Sequence, residues 1–267
     1  MKRLRFLLTA FLSALLTVTA VAACNAGGGG GGTTAGNATL IMATSADYPP
    51  YEYVDSSSGS QEIVGFDIDI AKYITGELGR ELRIDNIDFN GLIPALQSKR
   101  ADFVMAGMTP TEERKQNVDF SSIYFEAKNT IVAKAGSNLT SAASLNGKTV
   151  AVQLGSIQEQ AAKEMQGAEV KSLNRISEMI QELKSGRVEA LIVEDTVAKG
   201  YVESNPDLEL NVIPNEGASG SAIAFPKGSE LVAQFNPILE EMKTNGTMDE
   251  LIAKWFGENS PAPTSES

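Results

Sequence analysis

Two short apolar runs constrain the fold more than any other feature of the sequence: Asp102-Phe-Val-Met-Ala106 and Ala190-Leu-Ile-Val193. Each follows a helical stretch that ends in a basic or glycine-containing turn, Ser98-Lys99-Arg100 and Ser185-Gly186-Arg187. Runs so short and so apolar are the pattern of central strands covered on both faces. The stretch Thr39-Leu-Ile-Met-Ala-Thr44 opens an alternation of strands and helices, which argues for α/β lobes with mainly parallel sheets. Phe66, Ile70, Ile74 and Leu78 fall four apart and line one face of a helix that Gly79 can close; that face is core. Leu92, Ile93 and Leu96 mark a second helix, signalled by Asn90, with Pro94 early in it.

A second strand and helix series begins after Asn129, includes Thr149 to Val152, and runs to about Pro214. The pattern lapses near Gly217-Ala-Ser-Gly-Ser221, then gives one strand, Ala222 to Phe225, and two helices ending at Trp255-Phe256. A middle lobe flanked by an interrupted first lobe is one consistent arrangement, with crossings near 126–130 and 217–222.

The chain opens Met-Lys-Arg-Leu-Arg, continues apolar from Phe6 to Ala20, and reaches Val21-Ala22-Ala23-Cys24, the three parts of an export signal. Cys24 is the only cysteine, so no intrachain disulfide or cysteine-rich metal site can form. Val-Ala-Ala-Cys resembles a bacterial lipobox, in which the cysteine is acylated and becomes the mature N-terminus. An uncleaved anchor is the alternative, although the apolar stretch is marginal for a span. Six glycines from Gly27 to Gly32 and polar residues to Ala38 read as a flexible leash. Without Lys2, Arg3 and Arg5, 19 of the 22 basic residues face 34 acidic ones, a formal charge of −15. Nucleic acid is therefore an unsuitable partner, while a cationic ligand is permitted.

Candidate binding residues lie after the strands. In Ala106-Gly-Met-Thr-Pro-Thr-Glu-Glu-Arg114, Thr109 with Pro110 and Glu112 reads as a capping box. A helix N-terminus there would offer N–H groups to an anion outside a strand's carboxyl end. Arg114 could clamp a carboxylate with two hydrogen bonds, or serve an ordinary surface ion pair. In Gln153-Leu-Gly-Ser-Ile-Gln-Glu159, Ser156 and Glu159 make a second capping box, and Gly155 allows close approach to the backbone. Asp195 and carbonyls near Gly107 are candidate acceptors for an ammonium, although Asp195 fits equally as a helix N-cap. In Asp47-Tyr-Pro-Pro-Tyr-Glu-Tyr53, Tyr48, Tyr51 and Tyr53 offer ring faces for stacking, or cover the core.

These motifs together resemble the polar amino acid-binding proteins of ABC importers, the bacterial extracellular solute-binding protein family 3. The resemblance runs from Leu40 to Phe256. It rests on Ile63-Val-Gly-Phe-Asp-Ile-Asp-Ile70, Leu92 to Lys99, Met108-Thr-Pro-Thr-Glu-Glu-Arg114, Asp119-Phe-Ser121 and Asn245-Gly-Thr-Met-Asp-Glu-Leu251. Thr75 departs from the signature, which prefers a small residue or valine there. The resemblance implies an α/β, two-lobed periplasmic-binding-protein-like fold of type II, each lobe a sheet flanked by helices, joined by a two-strand hinge. The expected division is a signal peptide (1–23), acylated Cys24 and linker (24–38), first lobe (39–127), second lobe (128–219), return to the first lobe (220–259) and disordered tail (260–267).

It further implies closure on one free L-amino acid and delivery to an ABC importer permease by a monomer tethered through Cys24, on the outer face of the cytoplasmic membrane or in the periplasm. No cofactor, metal or catalytic residue is implied. The α-carboxylate would sit on Arg114, Thr109 and the backbone near Ile157. The α-ammonium would sit on Asp195 and the Gly107 carbonyl, with Tyr48 and Phe89 flanking the side chain and Gln153 nearby. Members for basic amino acids often carry aspartate where this chain has Ser45; Asp47, Glu52, Asp88 and Glu126 are nearby acids that could substitute. The wording still looks most like arginine or general basic amino acid receptors, with glutamine or another polar amino acid as the alternative. Similar folds also occur as cyclohexadienyl-type dehydratases and sensor modules, but with no histidine any acid–base work would fall to Glu or Lys.

Overall fold

The computed structural model describes residues 39–57, 59–214, 217 and 219–262. The expected signal peptide, Cys24 and the glycine linker lie outside the described residues, as does the tail beyond Ala262. The first stretch of chain contains β1 (Leu40–Thr44), β2 (Asp47–Tyr48), β3 (Glu52–Asp55), β4 (Glu62–Val64), α1 (Phe66–Glu77), β5 (Leu82–Asn86), α2 (Leu92–Gln97), β6 (Phe103–Val104), α3 (Glu112–Asn117) and β7 (Val118–Phe120). The middle contains β8 (Asn129–Lys134), β9 (Thr149–Gln153), α4 (Ile157–Glu164), β10 (Glu169–Leu173), α5 (Ile176–Lys184), β11 (Ala190–Glu194), α6 (Asp195–Ser204) and β12 (Leu208–Val212). The chain closes with β13 (Ala224–Pro226), α7 (Leu231–Thr244) and α8 (Thr247–Phe256).

Two five-stranded sheets result, ordered β5-β1-β6-β13-β7 and β10-β9-β11-β8-β12. The two apolar runs supply β6 and β11, fully buried at the centre of each sheet. Both sheets are mixed rather than mainly parallel. β13 pairs antiparallel with β6 and β7, and β8 pairs antiparallel with β11 and β12. These are the strands with which the chain arrives from the other lobe, so each enters its sheet from the opposite end. The two crossing segments run side by side: Phe125 and Ser221 form an antiparallel bridge.

Burial follows the sequence periodicity. Phe66, Ile70 and Ile74 on α1 have no exposed surface, and Gly79 follows two residues beyond the helix end. The second helix starts differently from expectation. Asn90 lies within a single 3-10 turn, Phe89–Gly91, and Gly91 rather than Asn90 holds the N-cap position of α2. Pro94 then falls in the first turn, where its missing N–H costs nothing. The polar end of the chain is folded further than expected: Ser260 Oγ donates to the Trp255 carbonyl, and Tyr53 donates its hydroxyl proton to the Pro261 carbonyl.

Candidate functional site

A narrow cavity lies where the two lobes meet. From the first lobe it is lined by Tyr48, Phe89, Ala106, Gly107, Thr109 and Arg114, and from the second by Gln153, Ser156, Ile157, Gln158 and Glu194. Its volume, about 20 Å³, holds about one water molecule. A free amino acid is larger, so admission requires the lobes to part.

Arg114 is held rigidly. Thr111, not Thr109, caps α3, accepting the Arg114 N–H at 3.2 Å. The helix thus starts two residues later than the sequence suggested: Pro110 is the centre of a tight turn, with the Thr111 N–H donating to the Thr109 carbonyl at 3.0 Å, and the helix begins only after it. Thr109 contributes its carbonyl, which accepts from Arg114 Nη1 at 2.9 Å, while Nη2 donates to the Gly155 carbonyl of the other lobe at 2.9 Å. The guanidinium carbon lies 5.4 Å from the centre of the Phe89 ring. Burial pulls the Arg114 pKa down to about 10, which leaves the group charged at neutral pH.

Opposite, Ser156 caps α4 by accepting the Glu159 N–H at 3.1 Å. Glu159 Oε2 accepts from Gly155 N–H at 2.7 Å, one residue earlier than a capping box requires. At Gly155 the lobes also approach closely: a Cβ on it would lie 3.2 Å from Asn90 Cβ. Gln153 is anchored by Nε2 donating to the Asn174 carbonyl, and Gln158 Nε2 donates to Asn129 Oδ1.

The cavity's acid is Glu194, the last residue of β11 and 7% exposed. The Tyr51 hydroxyl bonds its carboxylate, yet among the described residues nothing partners Oε2. Burial, aided by Asp195 and Asp67, pushes its pKa up to about 8. A buried cation and a buried carboxyl group that an ammonium would ionise, on the walls of one cavity with aromatic faces beside them, suit a small zwitterion.

The family model for bacterial extracellular solute-binding proteins, family 3, matches residues 40–258. The chain belongs to that family. This solute-binding protein is 50% identical over 226 residues to the arginine-binding extracellular protein ArtP of Bacillus subtilis (strain 168), spanning 83% of this chain and 87% of the relative. Among solved structures it is similar to an ancestral arginine-binding protein bound to arginine (TM-score 0.78, 45% identity, 82% of this chain and 98% of that one). It is equally similar to an ancestral arginine-binding protein bound to glutamine (TM-score 0.77, 46% identity, the same coverage). The fold is that of the type II periplasmic binding proteins, and membership of an extracellular family puts the folded protein outside the cytoplasm.

Seven of the nine residues expected to face a ligand do line the cavity of this solute-binding protein: Tyr48, Phe89, Gly107, Thr109, Arg114, Gln153 and Ile157. Asp195 does not. Its N–H donates to the Lys128 carbonyl, and Oδ1 accepts from the Lys128 and Thr196 amides, which ties it to the crossing segment. Glu194, one residue earlier, takes the inward position. Ser45 does not line the cavity either; it is buried, donating to Asp47 Oδ1 at 3.2 Å. Of the three tyrosines only Tyr48 reaches the cavity; Tyr51 and Tyr53 are core, with Tyr51 stacked beneath Tyr48 at 5.6 Å.

None of the four reserve acids lines the cavity either. Asp47 accepts from the Ile176 amide, Glu52 is buried against Asp67, Asp88 faces Arg175 at 3.5 Å, and Glu126 is exposed.

Proposed function

We propose that this protein is a receptor for a free L-amino acid, with arginine or another basic amino acid favoured, and that it delivers the ligand to an ABC importer permease by closing its two lobes. The observation that carries the reading is the pairing of Arg114 and Glu194 on opposite walls of one cavity. Arg114 suits an α-carboxylate, with two N–H groups already directed at neutral carbonyls that an anion would outcompete. Glu194, with Oε2 unpartnered, suits an α-ammonium, and Tyr48 and Phe89 suit a planar guanidinium. The names of the relatives, which include arginine-binding proteins, support the choice of ligand class.

In this reading the work is binding without covalent chemistry, done by a monomer. A lipid anchor on Cys24 and the glycine linker behind it hold the receptor near its permease, on the outer face of the membrane. Glutamine is the second reading, because Glu194, the one acid among the described residues that line the cavity, is committed to the ammonium, and the amide oxygens of Gln153 and Gln158, whose Nε2 groups bond Asn174 and Asn129, can accept from an uncharged side chain.

A thermal-shift screen of the twenty amino acids with ornithine and citrulline tests both. Arginine should give the largest rise in Tm. A panel that gives no shift at millimolar ligand overturns the reading, and a larger shift with glutamine selects the second. Mass spectrometry of the membrane-extracted protein should show an acylated Cys24, absent after Cys24→Ala.

A further inference from the structure

We propose that Asp47 is a closure latch: a carboxylate of the first lobe caps a helix of the second, and so sets ligand affinity without touching the ligand. The inference rests on the reading that the lobes close on a ligand. Helix α5 begins with no cap of its own, since Arg175 occupies the N-cap position in an extended conformation and makes no side-chain bond there. Its first amide, that of Ile176, instead donates to Asp47 Oδ2 at 2.8 Å, from 129 residues away. The other oxygen, Oδ1, accepts from Ser45 Oγ at 3.2 Å, and β2 pairs Asp47 with Tyr53 of β3, so the carboxylate is fixed before the lobes meet.

The cap exists only while the lobes are together. When they part, the α5 amide and the carboxylate turn to water, and the favourable placement of an anion at a helix N-terminus is lost. A contact present in one of two states shifts the balance between them, and with it the apparent affinity. Closure also strips water from Asp47, whose pKa is raised chiefly by burial, so the net gain is modest. The neighbouring contact between Arg175 and Asp88, 3.5 Å and half exposed, adds little.

Two readouts on the full chain test the latch. Hydrogen exchange at the Ile176 amide, measured without ligand, should quicken about tenfold in Asp47→Ala, and Kd for L-arginine should rise about three- to tenfold, the scale of one lost N-cap. Asn caps as well as Asp, so Asp47→Asn should stay within about twofold of the native protein in both. Ser45→Ala, which frees the carboxylate without removing it, should fall between them and serves if Asp47→Ala folds poorly. Unchanged exchange at Ile176 in Asp47→Ala overturns the latch, as does an Asp47→Asn variant as impaired as Asp47→Ala. If the native protein binds no arginine, the functional reading fails while the exchange measurement still decides the latch.

Discussion

The Nη2 of Arg114 donates to the carbonyl of Gly155 at 2.9 Å, so a side chain of one lobe closes on the backbone of the other. Both acceptors of the guanidinium are neutral carbonyls, and a carboxylate entering the cleft would be the stronger partner. Arg114→Ala should therefore weaken amino acid binding by at least about thirtyfold, roughly 2 kcal/mol or more. Arg114→Lys should recover part of the loss, since it keeps the charge without the two-pronged geometry. Calorimetric titration checks both, and a native Kd in Arg114→Ala would remove Arg114 from the ligand site.

The two sheets and the place of Arg114 on the cavity wall were legible because they rest on local patterns. The apolar runs at 103–104 and 190–193 could hardly be other than buried strands, and Arg114 follows directly from one of them. The register of single residues was less legible. Glu194 and Asp195 are adjacent acids at the end of one strand, and only the point at which α6 begins decides which turns inward. A usable signal existed: carboxyl ends of strands are where α/β sheets meet ligands, and Glu194 is the strand's own last residue. The partners of Asp47 and Glu52 were not legible, because Ile176 and Asp67 lie far off in sequence or on another element. For Tyr51 and Tyr53 the sequence left stacking and core open, and what decides for core is ring packing against residues far along the chain, Phe66 and Phe256 on Tyr51 and Trp255 on Tyr53.

Glu194 should couple binding to proton release. In the closed fold burial places its pKa at about 8, against about 4.5 for an ordinary glutamate. The raised value means that the native state keeps a proton the unfolded chain has lost, so this contribution to stability is complete below about pH 4.5 and disappears as pH rises through 8. An arriving ammonium favours the carboxylate and expels that proton. Titrations at pH 6.5 in two buffers of different ionisation enthalpy should differ by up to about one proton per ligand, with affinity rising towards pH 8. Identical heats in both buffers would contradict the assignment, and Glu194→Gln should remove the difference while weakening binding about ten- to a hundredfold.

Behind the cavity, Glu52 and Asp67 bury two carboxyl groups against each other. Asp67 receives the Tyr124 hydroxyl at 2.8 Å and the Gly107 amide at 3.0 Å, which favour its ionised form, so Glu52 is the one that holds the proton. Burial is the largest influence on both; it raises Glu52 well above the usual range and Asp67 to about 7. The native fold therefore loses stability as pH rises above the ordinary carboxylate range. Glu52→Gln supplies the donor permanently and removes that titration. Its Tm should match the native protein near pH 5 and exceed it at pH 8 by a few degrees, equivalent to about 1–2 kcal/mol. Parallel Tm curves from pH 5 to 9 would show that Glu52 is not the proton carrier.

The same region depends on one glycine. Gly65 precedes α1 with φ of +141°, and a Cβ there would sit 2.1 Å from the Tyr51 carbonyl oxygen. That carbonyl accepts the Asp67 N–H at 3.0 Å, and the Pro50 carbonyl accepts the Phe66 N–H, so the start of α1 is sewn to the segment that presents Tyr48. No side chain fits without separating the two, and the backbone conformation is itself nearly exclusive to glycine. Gly65→Ala should cost about 3 kcal/mol or more in denaturant unfolding, a value reserved for a few mechanisms of which backbone strain is one. It should also weaken ligand binding in whatever fraction remains folded, because Tyr48 loses its fixed position. A loss under about 1 kcal/mol would mean that the helix start yields, and that the Tyr48 wall of the cavity is softer than its packing on Tyr51 implies.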